Sequence, residues 1–366
     1  MTDPADIPEP DRVPGAPHPR HTPRLIGQDA AVADFLTAAA SHRLHHGWLL
    51  TGPRGVGKAT LAWAIARWLL AGGGPDALDI PPDDPVARRI AALSEPGLLL
   101  IRRPWDEKAG RLSAQITVDE VRRLLSFFHL SSAGGGRRVA IIDAADDLNT
   151  AAANALLKML EEPPRDGVLL LVAHQPARLL PTIRSRCREL RLSPLPPEAM
   201  ADALAGLGVD ADAEALAALA HGSVGEALRL AGQDGLAVYQ RIVDLFATLP
   251  QMDRAAAGKL ADLAAKRPGA EGDPFDLVMT LADLFLNRLA RAGLSGPPLP
   301  QAARGEGALL TRLAPDADAA RIWAAAQAEL VPRARAGRAV NLDPAALVMD
   351  MLIQLGHRAP ALSARN

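Results

Sequence analysis

The stretch Gly47-Trp48-Leu49-Leu50-Thr51-Gly52-Pro53-Arg54-Gly55-Val56-Gly57-Lys58-Ala59-Thr60 decides the fold. Its first five residues form a short apolar run that ends at a glycine turn, which reads as a buried strand. Gly52, Gly55 and Gly57 let the chain curl so that successive backbone N–H groups surround an anion. From Leu61 to Leu70 the pattern is helical with a strongly apolar face. A glycine-rich turn that joins a strand to a helix and ends in lysine is a phosphate-binding loop. The helix N-terminus adds positive dipole, and Lys58 adds a point charge for β- and γ-phosphates. Lysine occurs only at 58, 108, 158, 259 and 266 in a chain that otherwise uses arginine, so a lysine at this place is informative.

The residue after that lysine departs from the pattern. A Ser or Thr there ligates magnesium, but the chain has Ala59, with Thr60 one place later. One residue along a helix is a rotation of about 100°, so Thr60 does not fall on the same ligand position. A second apolar run, Val139-Ala140-Ile141-Ile142-Asp143, ends in an acid. In P-loop ATPases such an acid sits beside the magnesium, although Asp143 also reads as a strand end that caps a turn. Ring ATPases follow it with a water-polarising Glu; here Ala144-Ala145 follow, and Asp146 lies three residues beyond Asp143. The candidate nucleotide-binding set is Gly52, Gly55, Gly57, Lys58, Thr60 and Asp143. Its expected behaviour is weak ATP or ADP binding, impaired magnesium-dependent hydrolysis and no required cofactor.

Outward from these motifs, strands at 98–101, 139–143, 168–172 and 188–192 alternate with helices over 29–41, 118–129 and 149–161. That alternation predicts a mainly parallel sheet covered on both faces, the α/β class. Residues 1–22 hold six prolines and few apolar residues, so the expectation there is a disordered tail. After Pro194 the strand signal stops. Three short helices are expected over 198–232 and four or five longer ones over 236–357.

The composition narrows the function. Of 366 residues 49% are apolar, enough for ordinary cores, and 40 basic against 42 acidic residues give a net charge of −2. That balance excludes a histone-like polycation and a highly acidic disordered chain. A single cysteine, Cys187, excludes an internal disulfide framework and a zinc site built on several thiolates. His42, His45 and His46 cluster without an acidic partner at ligand spacing, so no zinc is expected. No apolar run approaches the roughly 18 residues of a membrane span, and the N-terminus lacks a signal-peptide pattern. A cytoplasmic protein with no membrane partner is the expectation. The segment Thr182-Ile183-Arg184-Ser185-Arg186-Cys187-Arg188 reads by composition as a solvated basic loop. A guanidinium at a domain edge could also serve as an arginine finger to a neighbouring subunit.

Taken together, five segments resemble one family. They are Gly52–Thr60, Arg102-Arg103-Pro104-Trp105-Asp106, Ile116-Thr117-Val118-Asp119-Glu120-Val121-Arg122, Asn154-Ala155-Leu156-Leu157-Lys158-Met159-Leu160-Glu161-Glu162-Pro163-Pro164 and Ser185-Arg186-Cys187. The chain is similar over about 24–230 to the delta-prime family of AAA+ clamp-loader subunits of bacterial DNA polymerase III. The resemblance implies an AAA+ α/β domain over 23–193, a three-helix lid over 194–235 and a helical collar over 236–366 that joins subunits into a hetero-pentamer. It implies a non-hydrolysing stator that works with delta and gamma/tau subunits, and through them with the sliding clamp and primed DNA, inside a nucleotidyltransferase holoenzyme. It makes Arg186 the finger aimed in trans at a gamma/tau ATP. It places Gly225 where motor subunits carry a sensor arginine. The four-cysteine zinc module of many relatives is missing from 71–97. A gamma/tau-like ATPase motor is the alternative, and Ala59, Ala144 and Gly225 speak against it.

Overall fold

The computed structural model describes residues 9–13, 17–22, 24–41, 44–129, 136–209, 212–269 and 272–359. His42 of the histidine cluster lies outside them. The chain divides into two compact units, Met1–Ala203 with Gly222–Gly225, and Leu204–His221 with Glu226–Asn366.

In chain order the first unit has α1 (Asp29–Ala40), β1 (Gly47–Thr51), α2 (Lys58–Ala71), α3 (Pro85–Ala91), β2 (Leu98–Arg102), β3 (Trp105–Asp106), β4 (Arg111–Leu112), α4 (Val118–His129), β5 (Arg138–Asp143), α5 (Thr150–Glu161), β6 (Gly167–Ala173), α6 (Pro181–Arg184) and β7 (Arg188–Arg191). Five strands form one parallel sheet in the order β2-β5-β6-β1-β7. All five residues of β1 and all seven of β6 are buried, as strands covered on both faces must be. Alternation sorts them: Trp48 and Leu50 pack with Phe35, Trp63, Ile65 and Trp68 of α1 and α2, while Leu49 packs with Val121, Leu124, Leu156 and Leu160 of α4 and α5. Each such aliphatic or Phe side chain stabilises by about 1.5–3 kcal/mol on burial. The β3–β4 hairpin is an addition that the sequence pattern did not show.

The Pro-rich segment departs from expectation. Residues 9–13 and 17–22 are ordered, with a short 3-10 turn at Pro19–His21. Arg67 of α2 donates to the carbonyls of Arg20 (3.1 Å) and Thr22 (3.0 Å). A disordered tail is therefore corrected for these residues. Prolines leave little conformational entropy to lose, and charged side chains, not apolar burial, fix the segment.

Seven further helices follow α7 (Pro197–Gly206) and α8 (Ala213–Ala220): α9 (Val224–Gly232), α10 (Gly235–Ala247), α11 (Arg254–Ala264), α12 (Pro274–Ser295), α13 (Glu306–Leu313), α14 (Ala317–Ala339) and α15 (Pro344–Arg358). The region from 235 to 358 thus holds six helices, one or two more than the pattern predicts. Side chains of Asp253, Asp273, Asp316 and Asp343 cap α11, α12, α14 and α15, each cap being worth about 1 kcal/mol. Within the second unit Phe246 meets Phe285 at 4.6 Å between ring centroids and Trp323 at 6.1 Å. Beside them the fully buried Glu306 accepts from Tyr239 (2.6 Å), from Arg288 Nε (2.6 Å) and Nη2 (3.1 Å), and from the Ala302 amide (2.7 Å). No described helix is long and apolar enough to cross a membrane.

Candidate functional site

The sheet delivers the candidate residues to its carboxyl edge, where open α/β folds place ligands. β1 enters the phosphate-binding loop at Gly52, whose φ of 140° and close approach to the Leu192 carbonyl exclude any side chain: a Cβ would lie 2.4 Å from that oxygen. Lys58 opens α2 and is buried. Its Nζ donates to the carbonyls of Gly52 (2.7 Å) and Pro53 (2.6 Å), so the ammonium is engaged by its own loop. Burial draws its pKa down to about 8, against the favourable charges of Asp143 and Asp146.

Asp143, the last residue of β5, is buried opposite Arg102 of β2 in register. Burial pushes its carboxyl up to about 7, and the nearby Asp11 adds to the rise while Lys58 opposes it. Ala59 packs against the apolar core on the α1–α2 side of the sheet. Asp146 faces elsewhere: it accepts from the backbone amides of His174 (2.9 Å) and Gln175 (3.2 Å) after β6. His174 is held neutral, its pKa lowered to about 4 by burial and then by Lys58 and Arg54. These residues do not fit a magnesium nucleotide. The hydroxyl ligand is replaced by a methyl packed against the core, and the loop lysine is engaged by carbonyls of its own loop. Among the described residues no three His, Cys, Asp or Glu side chains converge as metal ligands.

Ser223 and the first turn of α9 close on the loop. Ser223 Oγ donates to the Arg54 carbonyl (2.9 Å) and the Gly225 amide to the Gly55 carbonyl (3.1 Å). A Cβ on Gly225 would stand 2.9 Å from Gly55 Cα and 3.3 Å from a Val13 methyl, so no arginine fits here. Sequence reasoning missed the charged cluster on the same edge. Asp11 has no exposed side-chain surface and accepts from His18 (2.9 Å) and Arg102 (2.7 Å), while Glu9 pairs with Arg20 and Arg102. Burial alone would raise the Asp11 pKa, but the His18 bond and the charges of His18 and Arg102 hold it below the usual range. The only signal was the acidic Glu9–Asp11 pair inside a proline-rich stretch. A separate cavity of about 360 Å³ runs along β2, lined by Leu98, Leu100, Trp105, Arg123 and Pro10 and by no residue of the phosphate-binding loop.

Arg186 lies apart from the phosphate-binding loop, between α6 and β7. Its guanidinium donates to the Thr182 carbonyl (3.1 Å) and pairs with Glu161 at 2.9 Å, with 36% of the side chain exposed. A surface pair of this kind is worth about 0–1 kcal/mol, so an incoming anion displaces Glu161 cheaply. Arg188 is not a bare surface residue: its guanidinium lies 5.3 Å from the Trp48 ring centroid. Burial raises the Cys187 thiol to about 12, which leaves it unreactive.

A parallel five-stranded sheet with a phosphate-binding loop after β1, followed by an all-helical region, defines a P-loop α/β protein. Residues 27–196 match the family model described as "DNA polymerase III, delta subunit". The chain is 42% identical over 192 residues to the DNA polymerase III subunit delta' of Pseudomonas aeruginosa, covering 51% of this chain and 56% of that one. It is 31% identical over 211 residues to the delta' subunit of Bacillus subtilis, covering 57% and 61%. It is 33% identical over 183 residues to the gamma/tau subunit of Mycobacterium tuberculosis, covering 50% and 30%. Over residues 27–196 the chain is thus similar in sequence to the delta' subunits of DNA polymerase III. The chain spans little more than half the length of the delta' relatives it matches.

Proposed function

We propose that this chain is the non-hydrolysing stator of a DNA polymerase III clamp loader, a hetero-pentamer that it forms with delta and gamma/tau subunits to place the sliding clamp on primed DNA. The observation that carries the reading is the phosphate-binding loop itself: Ala59 packed against the core, Lys58 bonded to Gly52 and Pro53, and Gly225 packed on Gly55. A motor needs all three positions in other hands. Arg186 supplies the function that remains. Held at the surface by a weak pair with Glu161, it reaches the γ-phosphate on a gamma/tau neighbour and meets the charge that develops there. The residues 194–235 act as the lid and 236–366 as the collar through which subunits associate. The chain requires no zinc or other cofactor and works in the cytoplasm.

Purification with delta and gamma/tau tests the assignment. The isolated chain is expected to turn over ATP far below about 1 per second, a typical low enzyme rate, and to enter a stable complex with both partners. Turnover at that rate, abolished by Lys58→Ala, would instead favour the gamma/tau-like motor. Failure to associate with either partner would remove the clamp-loader role.

A further inference from the structure

The N-terminal segment approaches the candidate nucleotide site at two places. At one, Asp11 is fully buried beside Asp143 and clasped by Arg102, the residue paired in register with Asp143. At the other, Val13 meets Gly225, which in turn sits on Gly55 of the phosphate-binding loop. Two guanidinium groups and an imidazole fix the segment between them: Arg102 on Asp11 (2.7 Å) and Glu9 (3.3 Å), His18 on Asp11 (2.9 Å), and Arg20 on Glu9. Arg20 is itself anchored, its Nε donating to the Ala91 carbonyl at 3.1 Å.

We propose that residues 9–13 are an intramolecular plug that closes the phosphate-binding loop, with Asp11 occupying the metal-phosphate end and Val13 bracing Gly225 over the loop. The chemistry is competitive. A nucleoside triphosphate brings several negative charges to a place that already holds the carboxyls of Asp11 and Asp143, whose charges act on one another, and like charges repel strongly when desolvated. Nucleotide must therefore displace the segment, which means breaking the buried Arg102–Asp11 pair and leaving its partners uncompensated. Arg102 has a second role in this arrangement: it is spent on the segment and cannot neutralise a phosphate. The proposal explains why the glycines and Lys58 of a phosphate-binding loop remain while the loop turns its lysine onto its own carbonyls. It rests on the reading of residues 52–58 as an ancestral nucleotide site and is independent of the Arg186 assignment.

The test is equilibrium binding of a fluorescent ATP analogue to the full-length chain, with and without magnesium. The proteins compared are wild type, Glu9→Ala/Asp11→Ala and Val13→Gly. The charge variant is expected to bind at least tenfold tighter than wild type, and Val13→Gly severalfold tighter. Hydrogen exchange at the amides of Gly55–Lys58 should speed up in both variants and slow again on adding the analogue. The milder Val13→Gly variant, which keeps the charge network intact, decides the matter if the charge variant loses its cooperative unfolding transition. Equal affinity in wild type and variants, whether strong or undetectable, would overturn the plug. Such a result would leave the stator reading standing, whereas clamp loading indifferent to Arg186 would sink that reading and leave the plug untouched.

Discussion

At the scale of single residues, the decisive facts concern what each charged group is already bonded to. Asp143 shows how burial turns a catalytic position into a liability. Its carboxyl titrates near 7 in the folded chain, above the ordinary 3.8. An acid with a raised folded pKa contributes its stability below the unfolded value and loses it as pH rises through the folded one. Asp143→Asn should therefore be near neutral at pH 4 and increasingly stabilising up to about pH 8, read as the difference in thermal midpoint across that range. A constant difference would show that the carboxyl is not strained as described. Lys58 moderates the effect, since the aspartate's charge is one of the terms that keeps its ammonium charged. Arg188 matters at this scale as well. It lies against Trp48, and losing that contact costs about 0.5–1 kcal/mol. Arg184, exposed at the end of α6, is thus the better control for Arg186.

At the scale of elements, β1, β5 and β6 were legible because fully buried parallel strands are unbroken apolar runs, and the sequence reading placed β1 at the same five residues. The glycine pattern likewise located the phosphate-binding loop. What was illegible was held by polar contacts that span the chain. Nothing local in Glu9 or Asp11 announces a partner 91 residues away in Arg102. The helices of the second unit were undercounted for a different reason: α13 is eight residues long, and its single acid, Glu306, points into the core. The helix starts Asp273-Pro274 and Asp343-Pro344 do carry a readable signal, an aspartate cap followed by proline at the first helical position. The Glu306 cluster ties α10, α12 and α13 together through Tyr239 and Arg288. Burial and the adjacent Glu306 raise the Tyr239 pKa, so its phenol stays protonated and donates. Glu306→Ala leaves Arg288 buried without its carboxylate and should cost about 3–5 kcal/mol, measured by urea unfolding. A loss under 1 kcal/mol would mean that the cluster relaxes or hydrates freely.

At the scale of the whole molecule, the α/β part completes its own core on both faces of the sheet, and the proposed role assigns association with other subunits to the helices that follow. Leu294, Leu299 and Val340 remain at least 69% exposed in that region. A chain ending at 235 should lose most of its affinity for the assembled loader while keeping a cooperative α/β fold, as sedimentation and calorimetry would show. Full-affinity incorporation of that chain would move the association surface to the α/β part. A disabled site of its own and an arginine offered to a neighbouring subunit are the two halves of the proposed stator role. They are separated by the DNA- and clamp-stimulated ATPase rate of a reconstituted loader carrying, in this chain alone, either Arg186→Ala or Lys58→Met. A large fall is expected with Arg186→Ala, bounded by the share of one active site within the ring, and no change with Lys58→Met, the complex being intact in both cases. A rate that falls with Lys58→Met and is unmoved by Arg186→Ala would overturn that role.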